Sequence, residues 1–251
     1  IHGFPSTPSL YTYSAQRFFD AGWDVHAPLI PTFGSDPKEF ENTNFTQWFD
    51  YICRYYETMR KTYPTVHVLG TSMGGLMALK LGEKYCNTEE APDKIVTIAA
   101  PVVYNSFRDR IFTDARSLVM RTVALFTSSL GAKIVDGNPD SDDGNEEWVG
   151  YGGQFIRSAL SLIHAMKDVR KNLGLITCPL FSIHDANDGT VPFGNLAIIQ
   201  KENGSKDFKA LKTHMSAFKH KRHALLQYRS IQEELTQTII DFLNSKEISN
   251  A

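Results

Sequence analysis

The chain has 251 residues, 42% hydrophobic and 22% charged, enough apolar side chain to bury a core and too little charge for a disordered, solvated coil. A formal net charge of -2 at pH 7 gives no bulk attraction to nucleic acid or anionic lipid, so small neutral substrates are expected and a nucleic-acid partner is not. Cys53, Cys86 and Cys178 are odd in number, widely spaced and without a Cys-x-x-Cys pair, which argues against a disulfide framework or zinc site and for a reducing, cytoplasmic setting.

In chain order, helix signals alternate with strand signals. Ser9 to Ala21 has aromatic and apolar residues at helical spacing and stops at Gly22, and Trp23 to Pro28 then reads as a short strand. Between Asn44 and Tyr63, the stripe Phe45, Trp48, Phe49, Ile52, Tyr55, Tyr56 and Met59 predicts an amphipathic helix ending before Pro64. Thr65 to Leu69 is a β-branched run that predicts a buried strand, followed by Gly70 and a helix from Gly74 to Tyr85. Buried strands are also expected at Lys94 to Ala99 and Leu180 to His184. A helix from Pro192 to Gln200, a strand around Phe208 to Thr213 and a last helix from Ala224 to Leu243 follow. No apolar run approaches the ~20 residues that span a bilayer, so no integral membrane segment is expected.

This alternation implies a mostly parallel sheet with helices on both faces. Residues 104–173, mostly helical in pattern, interrupt it, dividing the chain into a core of 1–103 and 174–251 and an inserted helical cap of 104–173. The chain opens on Ile1 rather than Met. The strand ending there is expected to lie inside the sheet, with upstream residues completing it.

The most informative residues are Gly70-Thr71-Ser72-Met73-Gly74-Gly75. A serine hydroxyl is a poor nucleophile until a base takes its proton, so it must be held clear of the backbone within reach of that base. A tight strand-to-helix turn does this, with glycines two positions to either side because a side chain there would crowd the turn. The helix beginning beside Ser72 also directs backbone N–H groups and its positive end toward a developing oxyanion.

Gly70 to Gly75 resembles the nucleophile elbow of the α/β-hydrolase superfamily, and Ile1-His2-Gly3-Phe4 resembles its oxyanion loop. Ile183-His184-Asp185-Ala186-Asn187-Asp188-Gly189-Thr190-Val191-Pro192 is similar to the segment that supplies the acid, and His223 before the final helix matches the base. The order Ser, Asp, His is the superfamily's. The resemblance covers Ile1 to Leu243 and is nearest to bacterial carboxylesterases and monoacylglycerol lipases with a small helical cap.

The resemblance implies an α/β-hydrolase fold and a serine carboxylic-ester hydrolase with Ser72 as nucleophile, His223 as base and Asp188 as the orienting acid. The backbone N–H groups of Phe4 and Met73 would form the oxyanion hole. The implied substrate is a small-molecule ester, with no cofactor and no metal; oligomeric state is not implied. Thioesterase or peptidase chemistry on the same triad, and a non-catalytic binding protein of this fold, are the alternatives.

Two departures leave choices open. Asp185 stands where the superfamily usually has a small residue and competes with Asp188, for which Val191-Pro192 sets the register. Lys219-His220-Lys221-Arg222 precedes His223 where Ser or Gly is common, so His220 is a rival base.

His2, His26, His67, His164, His184 and His214 read as framework or surface residues. Residues 136–147 have acids or amides at calcium-loop positions, but Ser141 replaces the turn glycine and Asp143 an apolar residue, so a solvated cap loop is expected. Phe107, Ile111, Phe126, Trp148, Tyr151, Phe155 and Leu162 together form a candidate roof over an acyl chain, while for each one singly packing of the cap against the sheet is the favoured reading.

Overall fold

The computed structural model describes residues 1–104, 119–137, 143–144, 148–215 and 222–245. The strands are β1 (His67–Thr71), β2 (Lys94–Ile98), β3 (Ser129–Asp136), β4 (Val149–Phe155), β5 (Leu180–Asp185) and β6 (Phe208–Thr213). Four of them form one sheet in the order β1-β2-β5-β6, every pair parallel. β2 and β5 are buried along their whole length, as central strands of a sheet covered on both faces must be. Strand alternation sends Ile95 into one core and its neighbour Val96 into the other. The two buried hydroxyls on these strands, Thr97 and Ser182, satisfy each other at 2.8 Å.

The helices are α1 (Thr12–Asp20), α2 (Pro37–Phe40), α3 (Phe45–Thr62), α4 (Met73–Tyr85), α5 (Ile156–Asn172), α6 (Gly194–Glu202) and α7 (Gln232–Asn244). α1 and α7 pack together over one face, and α3, α4 and α5 pack over the other. α3 starts on a reciprocal cap: Asn44 Oδ1 accepts from Gln47 N, and Gln47 Oε1 accepts from Asn44 N.

Three expectations change. Trp23 to Pro28 is not a strand. A strand is defined by its ladder, and between this segment and β1 runs a groove of ≈ 420 Å³ lined by Val25 and His26 on one side and His67 and Leu69 on the other. Ile1 enters that edge of the sheet, its nitrogen donating to Leu69 O at 2.6 Å and its carbonyl accepting from Thr71 N at 3.2 Å.

The last helix does not begin at Ala224. A short 3₁₀ turn at Leu225–Gln227 precedes α7, and Tyr228 between them is extended. There the backbone N–H groups of Arg229 and Ser230 donate to Asp143 instead of to a helix.

The described residues of the segment expected to be a helical cap are not all helical. They include the antiparallel hairpin β3–β4, whose Tyr151 N donates to Pro5 O at 2.9 Å. α5 packs as a core helix, with Ser158 Oγ donating to Thr43 O and Ser161 Oγ accepting from Phe45 N. Tyr151, Phe155 and Leu162 are therefore buried in the core and do not roof a site, whereas Phe126 is 84% exposed. Apolar periodicity reports burial, and the same stripe serves whichever neighbour lies opposite. Phe107 and Ile111 lie outside the described residues.

Lys94 is buried at the start of β2, and its Nζ donates to Phe242 O at 2.8 Å, Leu243 O at 3.1 Å and both Ser245 oxygens. A cation there meets the free carbonyls and negative end of α7. Lys94→Met should lower stability by about 3 kcal/mol, because it strands buried acceptors; a urea midpoint shift at unchanged slope is the measurement.

Candidate active site

Ser72 sits between β1 and α4 with φ 57° and ψ -121°, a conformation that non-glycine residues seldom adopt. It is held at both ends: its N–H donates to Ile98 O at 2.8 Å, and its carbonyl accepts from Leu76 N at 3.0 Å. Its side chain caps no helix N–H. The flanking glycines are a steric necessity. A Cβ at Gly70 would lie 2.1 Å from Gly74 O, and one at Gly74 would lie 1.9 Å from Ile1 O. Gly3 packs its Cα face on the serine, where a Cβ would be 3.1 Å from Ser72 Cβ.

The loop carrying Phe4 is fixed by His2, which is 1% exposed. Ile30 N–H donates to His2 Nε2 at 3.2 Å, so Nε2 is unprotonated and Nδ1–H donates to Gly3 O at 3.1 Å. Burial pushes its pKa down to about 3. The Phe4 ring lies 5.5 Å from Phe40 and 5.8 Å from Trp48, which puts an aromatic wall next to the serine loop. Met73 is the first residue of α4, a position whose N–H has no acceptor within its helix.

The carboxylate of Asp188 has 0% exposure. Its Oδ1 accepts from Thr190 N at 2.7 Å and Val191 N at 2.9 Å, and its Oδ2 accepts from His223 Nδ1 at 2.8 Å. Burial alone would raise its pKa; hydrogen bonds from His184 and His223, the His223 charge and the Val191 N–H more than offset this and hold it down at about 2. With Nδ1–H committed to Asp188, His223 keeps Nε2 as its basic nitrogen.

Asp185 is also fully buried but faces elsewhere. Its carboxylate accepts from Asn187 N at 2.8 Å, Thr213 Oγ1 at 2.7 Å and Met215 N at 2.8 Å, tying the end of β6 to the end of β5. His220 lies outside the described residues.

A residue read from sequence as framework proves to touch the site. His184 Nε2 is 3.1 Å from Val191 O and 3.2 Å from Asp188 Oδ2. Both oxygens only accept, so this nitrogen carries a proton and is a further donor to Asp188. The available signal was its place, four residues before Asp188 at the end of a buried strand; the partner was visible only once the turn closed.

The groups share one edge of the sheet. Thr71 is level with Ile98, and Ile98 with Ile183, so Ser72 and the Asp188 turn both lie beyond the carboxyl ends of their strands, two strand spacings or ~10 Å apart. A histidine on a third loop can span such a gap. Of the calcium-like loop, residues 138–142 and 145–147 lie outside the described residues, and Asp143 bonds to Arg222 and Ser230. Among the described residues no three His, Cys, Asp or Glu side chains cluster as metal ligands, and no helix is long and apolar enough to cross a membrane.

A mostly parallel sheet between helix layers, with a serine on a glycine-hedged strand-to-helix turn, defines an α/β-hydrolase. Residues 1–227 match the family described as serine aminopeptidase, S33, and the chain belongs to that family. It is 27% identical over 199 residues to a thermostable monoacylglycerol lipase of Bacillus sp. (strain H-257), covering 79% of this chain and 73% of the relative. It is 25% identical over 209 residues to a carboxylesterase of Bacillus subtilis (strain 168), covering 82% and 78%. Among solved structures, a monoacylglycerol lipase of Paleococcus ferrophilus superposes with TM-score 0.68 at 15% identity, covering 97% of this chain and 91% of that one. A structure from work on the metagenome-derived lipolytic enzymes LipS and LipT superposes with TM-score 0.77 at 18% identity, covering 96% and 90%.

The folded pKa of His2, about 3, lies below its ordinary 6.5, so below pH 6.5 the unfolded chain binds a proton that the folded chain refuses. Stability is undiminished above pH 6.5 and falls toward pH 3, by at most ~1.4 kcal/mol per pH unit from this group. His67, pushed down to about 4 by burial, acts in the same direction. Urea unfolding between pH 7 and pH 4 should show a shallower loss in His2→Asn than in the wild type.

Proposed function

We propose that this protein is a carboxylic-ester hydrolase of the carboxylesterase and monoacylglycerol lipase kind, working through an acyl-enzyme on Ser72. The observation that carries the reading is the 2.8 Å contact between His223 Nδ1 and a buried, ionised Asp188, which leaves Nε2 as the nitrogen available to act as a base.

His223 takes the Ser72 proton as Oγ attacks the ester carbonyl, and Asp188 stabilises the imidazolium without itself being protonated. The N–H groups of Phe4 and Met73 receive the charge on the tetrahedral oxygen, each such donor contributing ~3 to 4 kcal/mol in comparable enzymes. The alcohol leaves with the proton from His223. Water then attacks the acyl-enzyme with His223 again as base, releasing the acid. The commitments of Asp185 to Thr213 and Met215 support Asp188 as the acid.

Phe4, partly exposed beside Gly3 and the serine loop and backed by the buried Phe40 and Trp48, offers apolar surface to an acyl chain. The exposed residues Val119, Leu125 and Phe126 supply apolar surface to a cap within 104–173. A cytoplasmic setting is part of the reading, supported by three free thiols. The two Bacillus relatives favour esters, while the family description favours peptide-bond cleavage.

Fluorophosphonate should label Ser72 in the wild type, and Ser72→Ala should lose both the label and hydrolysis of p-nitrophenyl esters. Label on another residue would refute the assignment. Asp188→Asn should lower kcat by about 10⁴ through the wrong tautomer of His223, whereas Asp185→Asn should act mainly on thermal stability. Graded p-nitrophenyl esters run beside acyl-CoA and peptide p-nitroanilides separate the readings: the largest kcat/KM belongs to an ester.

A further inference from the structure

His223 is reached through Arg222, whose backbone is left-handed at φ 46°. An L-residue with a Cβ does not hold that conformation unaided, and the Arg222 torsions set the direction in which the next residue leaves the chain. The Arg222 side chain is 6% exposed, its guanidinium lies 5.3 Å over the Tyr228 ring, and its Nη1 donates to Asp143 Oδ2 at 3.1 Å.

Asp143 belongs to the insertion, distant from Arg222 in sequence, and it grips the whole base-bearing segment. Its Oδ1 accepts from Ser230 N at 2.9 Å and its Oδ2 from Ser230 Oγ at 2.7 Å, while its backbone carbonyl accepts from Arg229 N at 3.0 Å. These contacts bracket His223 on both sides, at Arg222 and at the turn before α7. With the Asp143 side chain only 21% exposed, the pair is shielded enough that losing one partner leaves a poorly compensated charge.

We propose that Asp143 and Arg222 form a latch from the insertion to the base-bearing loop and act as positioning residues for His223. The proposal rests on the reading of His223 as the base for Ser72. The latch holds a disfavoured backbone conformation that aims the imidazole, so losing it misplaces a group required in both chemical steps without touching the substrate.

The test measures kcat and KM on p-nitrophenyl butyrate, the rate of fluorophosphonate labelling and the melting temperature, using the full chain. Asp143→Ala and Arg222→Ala should each lower kcat and the labelling rate by about tenfold, the usual scale for a misaimed catalytic group, with KM changed less than about twofold. The double variant should lose less than the product of the two single losses, because the Asp143–Arg222 contact is common to both, while Asp143→Ala also removes the Ser230 bonds and Arg222→Ala the Tyr228 stack. Arg222→Gly should lie nearer the wild type than Arg222→Ala, since glycine adopts a positive φ unaided; loss of packing alone would not produce that rescue. Where Asp143→Ala fails to fold, Asp143→Asn removes the charge while keeping an acceptor for Ser230 N.

Wild-type kcat in the single variants, multiplicative losses in the double, an effect confined to KM, or Arg222→Gly no better than Arg222→Ala would each overturn the latch. Ser72→Ala separates the two layers. Ester hydrolysis surviving in it overturns the nucleophile and the latch together, whereas its abolition beside unaffected latch variants overturns the latch alone.

Discussion

The Ile1 carbonyl presses on the first turn of α4, and the turn at Ser72 is built on that approach. A side chain at Gly74 would begin 1.9 Å from the oxygen, so the contact admits only glycine. The oxygen is in turn held by Thr71 N at 3.2 Å and the Tyr11 hydroxyl at 2.6 Å. With the helix start pressed against the edge of β1, the intervening residue has no ordinary conformation open to it. Ser72 takes φ 57°, and the loop of Gly3 and Phe4 lies alongside it. The strain at this one residue is sustained by the surrounding hydrogen bonds.

The acid side of the site poses the opposite problem. Burying a carboxylate opposes its ionisation, and a neutral Asp188 would be useless for holding an imidazolium. Val191 N–H, Thr190 N–H, His184 and His223 together outweigh desolvation and keep it charged. Asp185, three residues earlier, answers the same burial problem with Thr213, Asn187 and Met215 and so becomes a structural tie at the ends of β5 and β6. Two acids in one short segment divide their work by which donors surround each, and chemical identity has no part in the division.

The insertion is joined to the working parts more closely than a lid on a hinge. Tyr151 N bonds to Pro5 O beside the Phe4 loop, α5 is packed into the core, and Asp143 bonds to both sides of His223. Its contacts therefore run both to the loop of Phe4 and Pro5 and to the segment around His223.

The sequence by itself determined the alternation of strands and helices, the strand-to-helix turn at Ser72 and the amphipathic helix after Asn44, since each rests on neighbours within a few positions. Side-chain period, turn glycines and caps are local properties and need no knowledge of the fold. Tertiary structure alone decided which of Asp185 and Asp188 faces His223, that His184 touches the carboxylate, and that Asp143 reaches Arg222. It also left Trp23 to Pro28 without a ladder and put the aromatics of β4 in the core. These outcomes depend on which groups meet across a distance in sequence. A carboxylate, a histidine or an apolar stripe carries the same local signature whatever partner the folded chain brings to it.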